Sequence, residues 1–259
     1  MQAQKRGKPV DPTSRRSTHF HQELTALQDA ILRLGSMVEK HIHEAVQALR
    51  ERDTALASRV IEQDRRVDEF ELEVEETCIR LIALHQPVAK DLRVITTGIS
   101  LTHELERMGD LAVNIAERTL ELCEEPQLKP LIDLPRMAEH AEQMLRRSLD
   151  AYVREDVTLA LEVCDSDDLL DQLNAQVFRE LVSFMIEDPR TISVATRLIL
   201  VGRYLERFGD HATNIAEMVV YMAEGRNIRH AKKLGKYKPG PQGTAEPEGG
   251  SPSAERQKA

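Results

Sequence analysis

This sequence of 259 residues has no tryptophan, and aromatic residues make up only 3% of it. No apolar run approaches the ~18–20 residues needed to cross a bilayer as a helix, which excludes an integral helical membrane protein. Residues 1–18 are basic and polar and lack an apolar core, so no secretory signal is expected. The cysteines are three (Cys78, Cys123 and Cys164), share no metal-like spacing and do not fall at matching places in the two halves. That argues against a disulfide framework or a thiolate metal site and fits a reducing cytosol. Also missing are a Walker glycine loop, a G-x-S-x-G elbow and a Cys/His pair at nucleophile spacing. The Glu-x-x-His motif that a ferritin-type di-iron centre needs twice is absent as well.

What is abundant is Leu, Ala, Glu and Arg, the composition of a helical protein. The net charge of −9 conceals an asymmetry. Residues 1–18 carry +4 and residues 225–259 carry +5, leaving −18 on residues 19–224. An acidic body with few aromatics is a poor nucleic-acid binder and a good host for hard cations. The basic ends read as solubilising segments, with contact to anionic lipid or a partner as the alternative.

One pattern occurs twice. Residues 106–117 and 206–217 share E-R-x-G-D-x-A-x-N-I-A-E at a spacing of 100. The chain is therefore an internal duplication that repeats acids, an amide and a glycine as well as core residues. Leu101, Leu105, Met108, Ala112 and Ile115 occupy one arc of a helix, and Leu205, Phe208, Ala212, Ile215 and Val219 repeat that stripe. Upstream, Asp53 matches Asp156 at an offset of 103, and the pair Asp64/Asp68 lands on Asp167/Asp171. Both Asp53 and Asp156 read as helix N-caps.

Pro87, Pro189 and the proline-rich segment 126–135 punctuate the rest, predicting six helices over 19–51, 54–84, 88–124, 136–154, 157–186 and 190–224. The expected fold class is all-α, two tandem antiparallel three-helix bundles. The layout is a flexible basic segment (1–18), a first repeat (19–125), a second repeat (131–224) and a basic, then Gly/Pro-rich disordered tail (225–259).

In each third helix Glu, Asp and Asn stand at i, i+4 and i+8, with a further Glu at i+11. At ~100° per residue these fall within one arc of about 80°, nearly opposite the apolar stripe. The acids are therefore expected on an outward face. Like charges at i,i+4 each cost a few tenths of a kcal/mol, so four matched acid pairs call for a cation or a basic partner. Oxygen-only ligands suit Mg²⁺, Mn²⁺, Ca²⁺ or iron. The plain alternative is surface ion pairing with Arg107 and Arg207, worth about 0–1 kcal/mol each. Gly109 and Gly209, each costing about 1 kcal/mol against Ala in mid-helix, point to close approach of a neighbouring group. His41, His43, His85 and His211 read as surface or loop histidines. The sequence His103-Glu104-Leu105 is like a kinase phosphoacceptor box, but the second copy has Arg203-Tyr204-Leu205 and no ATP-binding glycine boxes follow.

Two three-helix repeats, each with an acid pair on its second helix and E-R-x-x-D-x-x-x-N-I-A-E on its third, resemble the PhoU family of bacterial phosphate-signalling proteins over about residues 19–224. The resemblance implies a cytoplasmic, homodimeric non-enzyme, with no catalytic residues and no organic cofactor. Its implied partners are the ATPase subunit of the phosphate ABC transporter and the phosphate-sensing histidine kinase, through which alone it meets the membrane. It would hold the kinase in its repressing state and restrain uptake when phosphate is plentiful. It further implies clusters of divalent or trivalent metal (Mg, Mn, Fe or Zn). Carried over by position, Asp64, Asp68, Glu106 and Asp110 form one site and Asp167, Asp171, Glu206 and Asp210 the other. Asn114 and Asn214 supply direct or supporting oxygens. The competing readings are a carboxylate-bridged metal enzyme and a structural helical adaptor without metal. The basic extensions at both ends have no counterpart in the resemblance.

Overall fold

Two caps of one design frame the two repeats. Asp53 accepts a hydrogen bond from the Leu56 amide at 2.9 Å, and Asp156 accepts one from the Leu159 amide at 3.0 Å. The residues before them, Arg52 and Glu155, turn through the left-handed region at φ 56° and 51°. The next amides then return to the carbonyls of Ala48 and Ala151 at 3.0 and 2.9 Å, closing the preceding helix. Repeated turn chemistry at an offset of 103 thus gives repeated turn geometry.

The computed structural model describes residues 12–229, with side chains from His19 onward. Residues 1–11 and the tail from residue 230, with the stretch expected to be disordered, lie outside the described residues. The helices are α1 (Pro12–Glu51), α2 (Thr54–His85), α3 (Ala89–Cys123), α4 (Asp133–Arg154), α5 (Val157–Glu187) and α6 (Ile192–Glu224). A short 3₁₀ turn, Pro189–Thr191, leads into α6. Two starts differ from the sequence reading by three residues or more. Helix α1 begins at Pro12 rather than at residue 19, because proline is at home in a first helical turn. For the same reason Pro135 falls inside the first turn of α4 instead of preceding it. Among the described residues no helix is long and apolar enough to cross a membrane.

The two stripes read from the sequence form the core. Leu101, Leu105, Met108, Ala112 and Ile115 of α3 are fully buried, as are Leu205, Phe208, Ala212, Ile215 and Val219 of α6. Helices α1, α2 and α3 pack on one another, as do α4, α5 and α6, while α3 meets α6 and α1 meets α4 between the bundles. Each helix at that seam faces its own counterpart, so the repeats are related by an approximate two-fold axis.

Polar contacts along the seam fix its direction. Arg93 Nε donates to the Met222 carbonyl at 3.3 Å, Glu104 meets His211 at 2.6 Å, and Arg197 Nε donates to Glu121 at 2.7 Å. These pairs run in opposite senses along the two helices, so α3 and α6 are antiparallel. At the far end of α3, Arg52 Nη2 donates to the carbonyls of Leu122 and Glu125 at 2.9 and 2.7 Å. The α1–α2 turn thereby also finishes α3.

Candidate functional site

The first acid pair on α2 and the acids of α3 meet along a groove. Asp64 lies deepest, with its side chain 18% exposed, and Asp68, Glu106 and Asp110 act on it electrostatically. Burial first, and then those three carboxylates, push the Asp64 pKa up to about 6. Burial and the neighbouring Asp110 likewise raise Glu106, with Arg107 opposing them. The Arg107 guanidinium answers the repulsion weakly, at 3.5 Å from Glu106 and 3.7 Å from Asp110. The second groove repeats the theme: burial, then Asp210 and Asp171, raise Glu206 against Arg203 and Arg207.

The two repeated glycines differ in what presses on them. A Cβ at Gly109 would stand 3.4 Å from Asp64 Oδ1 and 3.4 Å from Val67 Cγ1. A Cβ at Gly209 would overlap the Leu170 side chain and stand 3.5 Å from both Asp167 Oδ1 and Met144 Sδ. At Gly109 a side chain would make ordinary contacts with Asp64 and Val67, whereas at Gly209 it would meet an overlap, and that with Leu170.

Asp68, Glu117, Asp171 and Asp210 are exposed, as helical phase predicts, while Asp64, Glu106, Asp167 and Glu206 are partly covered. Glu106 and Asp110 are 28% and 43% exposed and flank the α2–α3 contact. Phase locates a residue on its own helix, whereas the neighbouring helix decides how far its flank is covered.

Several residues sit differently from the sequence reading. His41 is not a surface histidine: it is 4% exposed, on α1, with Nδ1 3.9 Å from Asp64 Oδ1 and without a hydrogen-bond partner. Burial lowers its pKa, favouring the neutral imidazole. His85 and His211 are also partly covered, at 16% and 18% exposed, and each is held by a glutamate. Asn214 belongs to the seam, where its amide nitrogen donates to Glu104 at 3.0 Å. Asn114 is half-buried on α3 beyond Asp110, and Glu117 is exposed beside Arg118.

The groove of the first repeat is longer than its matched acids. Glu71, 7% exposed, and Glu75 continue the row on α2, and His103 of α3 lies 2.9 Å from Glu71. Their ligand atoms fall within 4.8 Å of one another, as do those of His19, Glu23 and His85 elsewhere. Neither set contains the ten residues singled out from the sequence. Glu71 and Glu75 were readable, since Asp64, Asp68, Glu71 and Glu75 follow the i, i+4, i+7, i+11 spacing of one helix face. His41 carried no such signal.

The donor set fits a multivalent cation. Half-buried carboxylates repel one another, and the buried Nδ1 of His41 faces them with its hydrogen-bonding capacity unspent. Carboxylates with a borderline imidazole donor suit Mn, Fe or Zn, while carboxylates alone suit Mg.

Comparison with known proteins places this architecture. The PhoU domain family matches residues 31–119 and 134–219, one match in each repeat. A phosphate-specific transport system accessory protein PhoU homolog from Pseudomonas putida is 40% identical over 215 residues, covering 83% of this chain and 84% of that relative. The crystal structure of PhoU from Pseudomonas aeruginosa superposes with a TM-score of 0.77 at 39% identity, over 80% of this chain and all of that one. The phosphate transport system regulatory protein PhoU from Streptococcus pneumoniae gives a TM-score of 0.75 at 30% identity, over 80% and 98%.

Proposed function

This chain belongs to the PhoU family, and on that premise we propose that it is a non-enzymatic, cytoplasmic accessory protein that regulates phosphate transport. In this reading it couples the ATPase subunit of the phosphate ABC transporter to the phosphate-responsive histidine kinase. It acts as a homodimer, restraining uptake and starvation signalling when phosphate is plentiful. The names of its relatives support the transport association, and the paired acidic grooves supply a means.

Multivalent metal is held by Asp64, Asp68, Glu106 and Asp110 in one groove and by Asp167, Asp171, Glu206 and Asp210 in the other, with Asn114 and Asn214 as supporting oxygens. The carrying observation is the gathering of four carboxylates at a groove where burial, and then Asp68, Asp110 and Glu106, lift Asp64 to about 6. A bound cation would neutralise those charges and join α2 to α3, stiffening the surface offered to partners. His41 stands ready beneath Asp64 as a nitrogen donor.

The test replaces Glu106, Asp110, Glu206 and Asp210 with Ala. Bound metal is measured by elemental analysis, and a phosphate-starvation reporter is followed in high phosphate. Loss of metal with derepression is expected. Unchanged metal content would remove the site assignment, and intact repression would remove its importance.

A further inference from the structure

At the end of the first bundle, where the described side chains of α1 begin and α2 stops, three ligand-type side chains converge. His19 and Glu23 stand at i,i+4 on one face of α1, and His85 is the last residue of α2. Glu23 Oε2 lies 2.6 Å from His85 Nε2 and 3.1 Å from His19 Nδ1. The imidazole of His85 is held in place: Gln86 turns the chain at φ 48° directly after it, and the Phe20 ring packs against it with centroids 4.8 Å apart. Burial would raise the Glu23 pKa, but the bonds from His85 and His19 outweigh it and keep the carboxylate ionised. The charges acting on Glu23 are those two histidines.

We propose that His19, Glu23 and His85 form a binding site for a divalent cation of the zinc class, tying the start of α1 to the end of α2. Two imidazole nitrogens and one carboxylate oxygen are a zinc donor set, with a fourth position left for water or a further ligand. All three donor atoms already lie within 4.8 Å of one another, so binding needs side-chain adjustment and no movement of the helices. The site is separate from the acidic grooves and stands whether or not those hold metal.

The second repeat cannot copy it. At the offset of 103, His85 matches Asp188, which Arg190 engages at 2.9 Å, while His19 and Glu23 stand on a part of α1 that the shorter α4, starting at Asp133, does not have. The cation would therefore clamp one repeat only, at the end from which α1 runs back toward the basic amino-terminal residues.

The experiment uses the full, untagged chain carrying Ala at positions 103, 106, 110, 206 and 210, which takes two acids from each groove and the nitrogen donor from the Glu71/Glu75/His103 set. After chelator treatment, Zn²⁺ affinity is measured by competition with a chromophoric chelator, and Co²⁺ is added as a spectroscopic substitute. One Zn²⁺ per chain and a visible Co²⁺ band of a four-coordinate site are expected. His85→Ala and His19→Ala should each weaken Zn²⁺ more than about tenfold, by analogy with losses at metal-supporting residues, and abolish the band. His19 is 67% exposed, so a thermal melt of His19→Ala should match its metal-free parent. Retention of affinity and band in either variant overturns the proposal, as does failure of the parent to bind Zn²⁺.

Discussion

The two grooves share four acids and differ in what surrounds them. Asp64, Asp68, Glu106 and Asp110 have their counterparts in Asp167, Asp171, Glu206 and Asp210. Where the first groove has His41, the second has Met144, fully buried beside Asp167's helix. Where the first continues with Glu71, Glu75 and His103, the second has Asn174, an exposed Phe178 and Arg203. The common part is a minimal oxygen set. The variable part makes the first groove richer in charge and nitrogen and the second shorter, with a thioether at its floor. Duplication preserved the acids and released their surroundings, so the two grooves offer different donor sets.

The largest effect that can probe this comparison lies in the cores beneath the grooves. Met108 and Phe208 are equivalent and fully buried. Phe208→Ala should cost about 3–5 kcal/mol and Met108→Ala about 2–5 kcal/mol, measured by urea unfolding. A smaller loss at Phe208 than at Met108 would mean that the second core relaxes around its cavity.

Next comes pH. In metal-free protein the folded chain keeps a proton on Asp64 up to about pH 6, whereas the unfolded chain loses it near pH ~3.9. Stability therefore falls as pH rises from about 4 to about 6, because the folded state binds more protons there. Asp64→Asn should flatten that slope, leaving the part due to the also raised Glu106, and stabilise the metal-free chain at pH 7 by about 1–2 kcal/mol, since solvent screens this half-buried group. An unchanged slope in chelator-treated Asp64→Asn would show that the Asp64 carboxyl is not raised in the folded chain.

The glycines separate the repeats by less. Gly109→Ala gains helix propensity worth about 1 kcal/mol against a contact of 3.4 Å, so it should be neutral to stabilising. Gly209→Ala drives a Cβ into Leu170 and should leave the chain about 1–2 kcal/mol less stable than Gly109→Ala. Equal thermal midpoints would mean that Leu170 swings aside freely. The smallest difference belongs to the caps: Asp53→Ala and Asp156→Ala should each cost about 1 kcal/mol, with values alike because their geometries match.

Helix number, core stripes and caps were legible because each is set by local spacing and turn chemistry. The matched acids were legible because the repeats agree on them. The same filter hid the rest. Glu71 and Glu75 sit in register with Asp64 and Asp68 but have no acidic counterparts, so comparing repeats passed over them. His41 lies on a different helix from every acid it faces, and only packing joins α1 to α2. His85 and His19 are 66 positions apart in sequence and meet for the same reason. Exposure, too, is settled by the neighbour, which is why Glu106 is half-covered where phase placed it outside.

The antiparallel seam has one more consequence. Glu104 and His211 meet across it, while their counterparts by position are Tyr204 and Leu111. Two first repeats joined through the same two-fold arrangement would set Glu104 against Leu111 in both halves, leaving half-covered carboxylates without a partner. Two second repeats would set His211 against Tyr204. At this pair the first half is not complementary to itself, and its glutamate is answered by the histidine of the other repeat. The polypeptide link between α3 and α4 thus joins two repeats that have become unlike at the place where they meet.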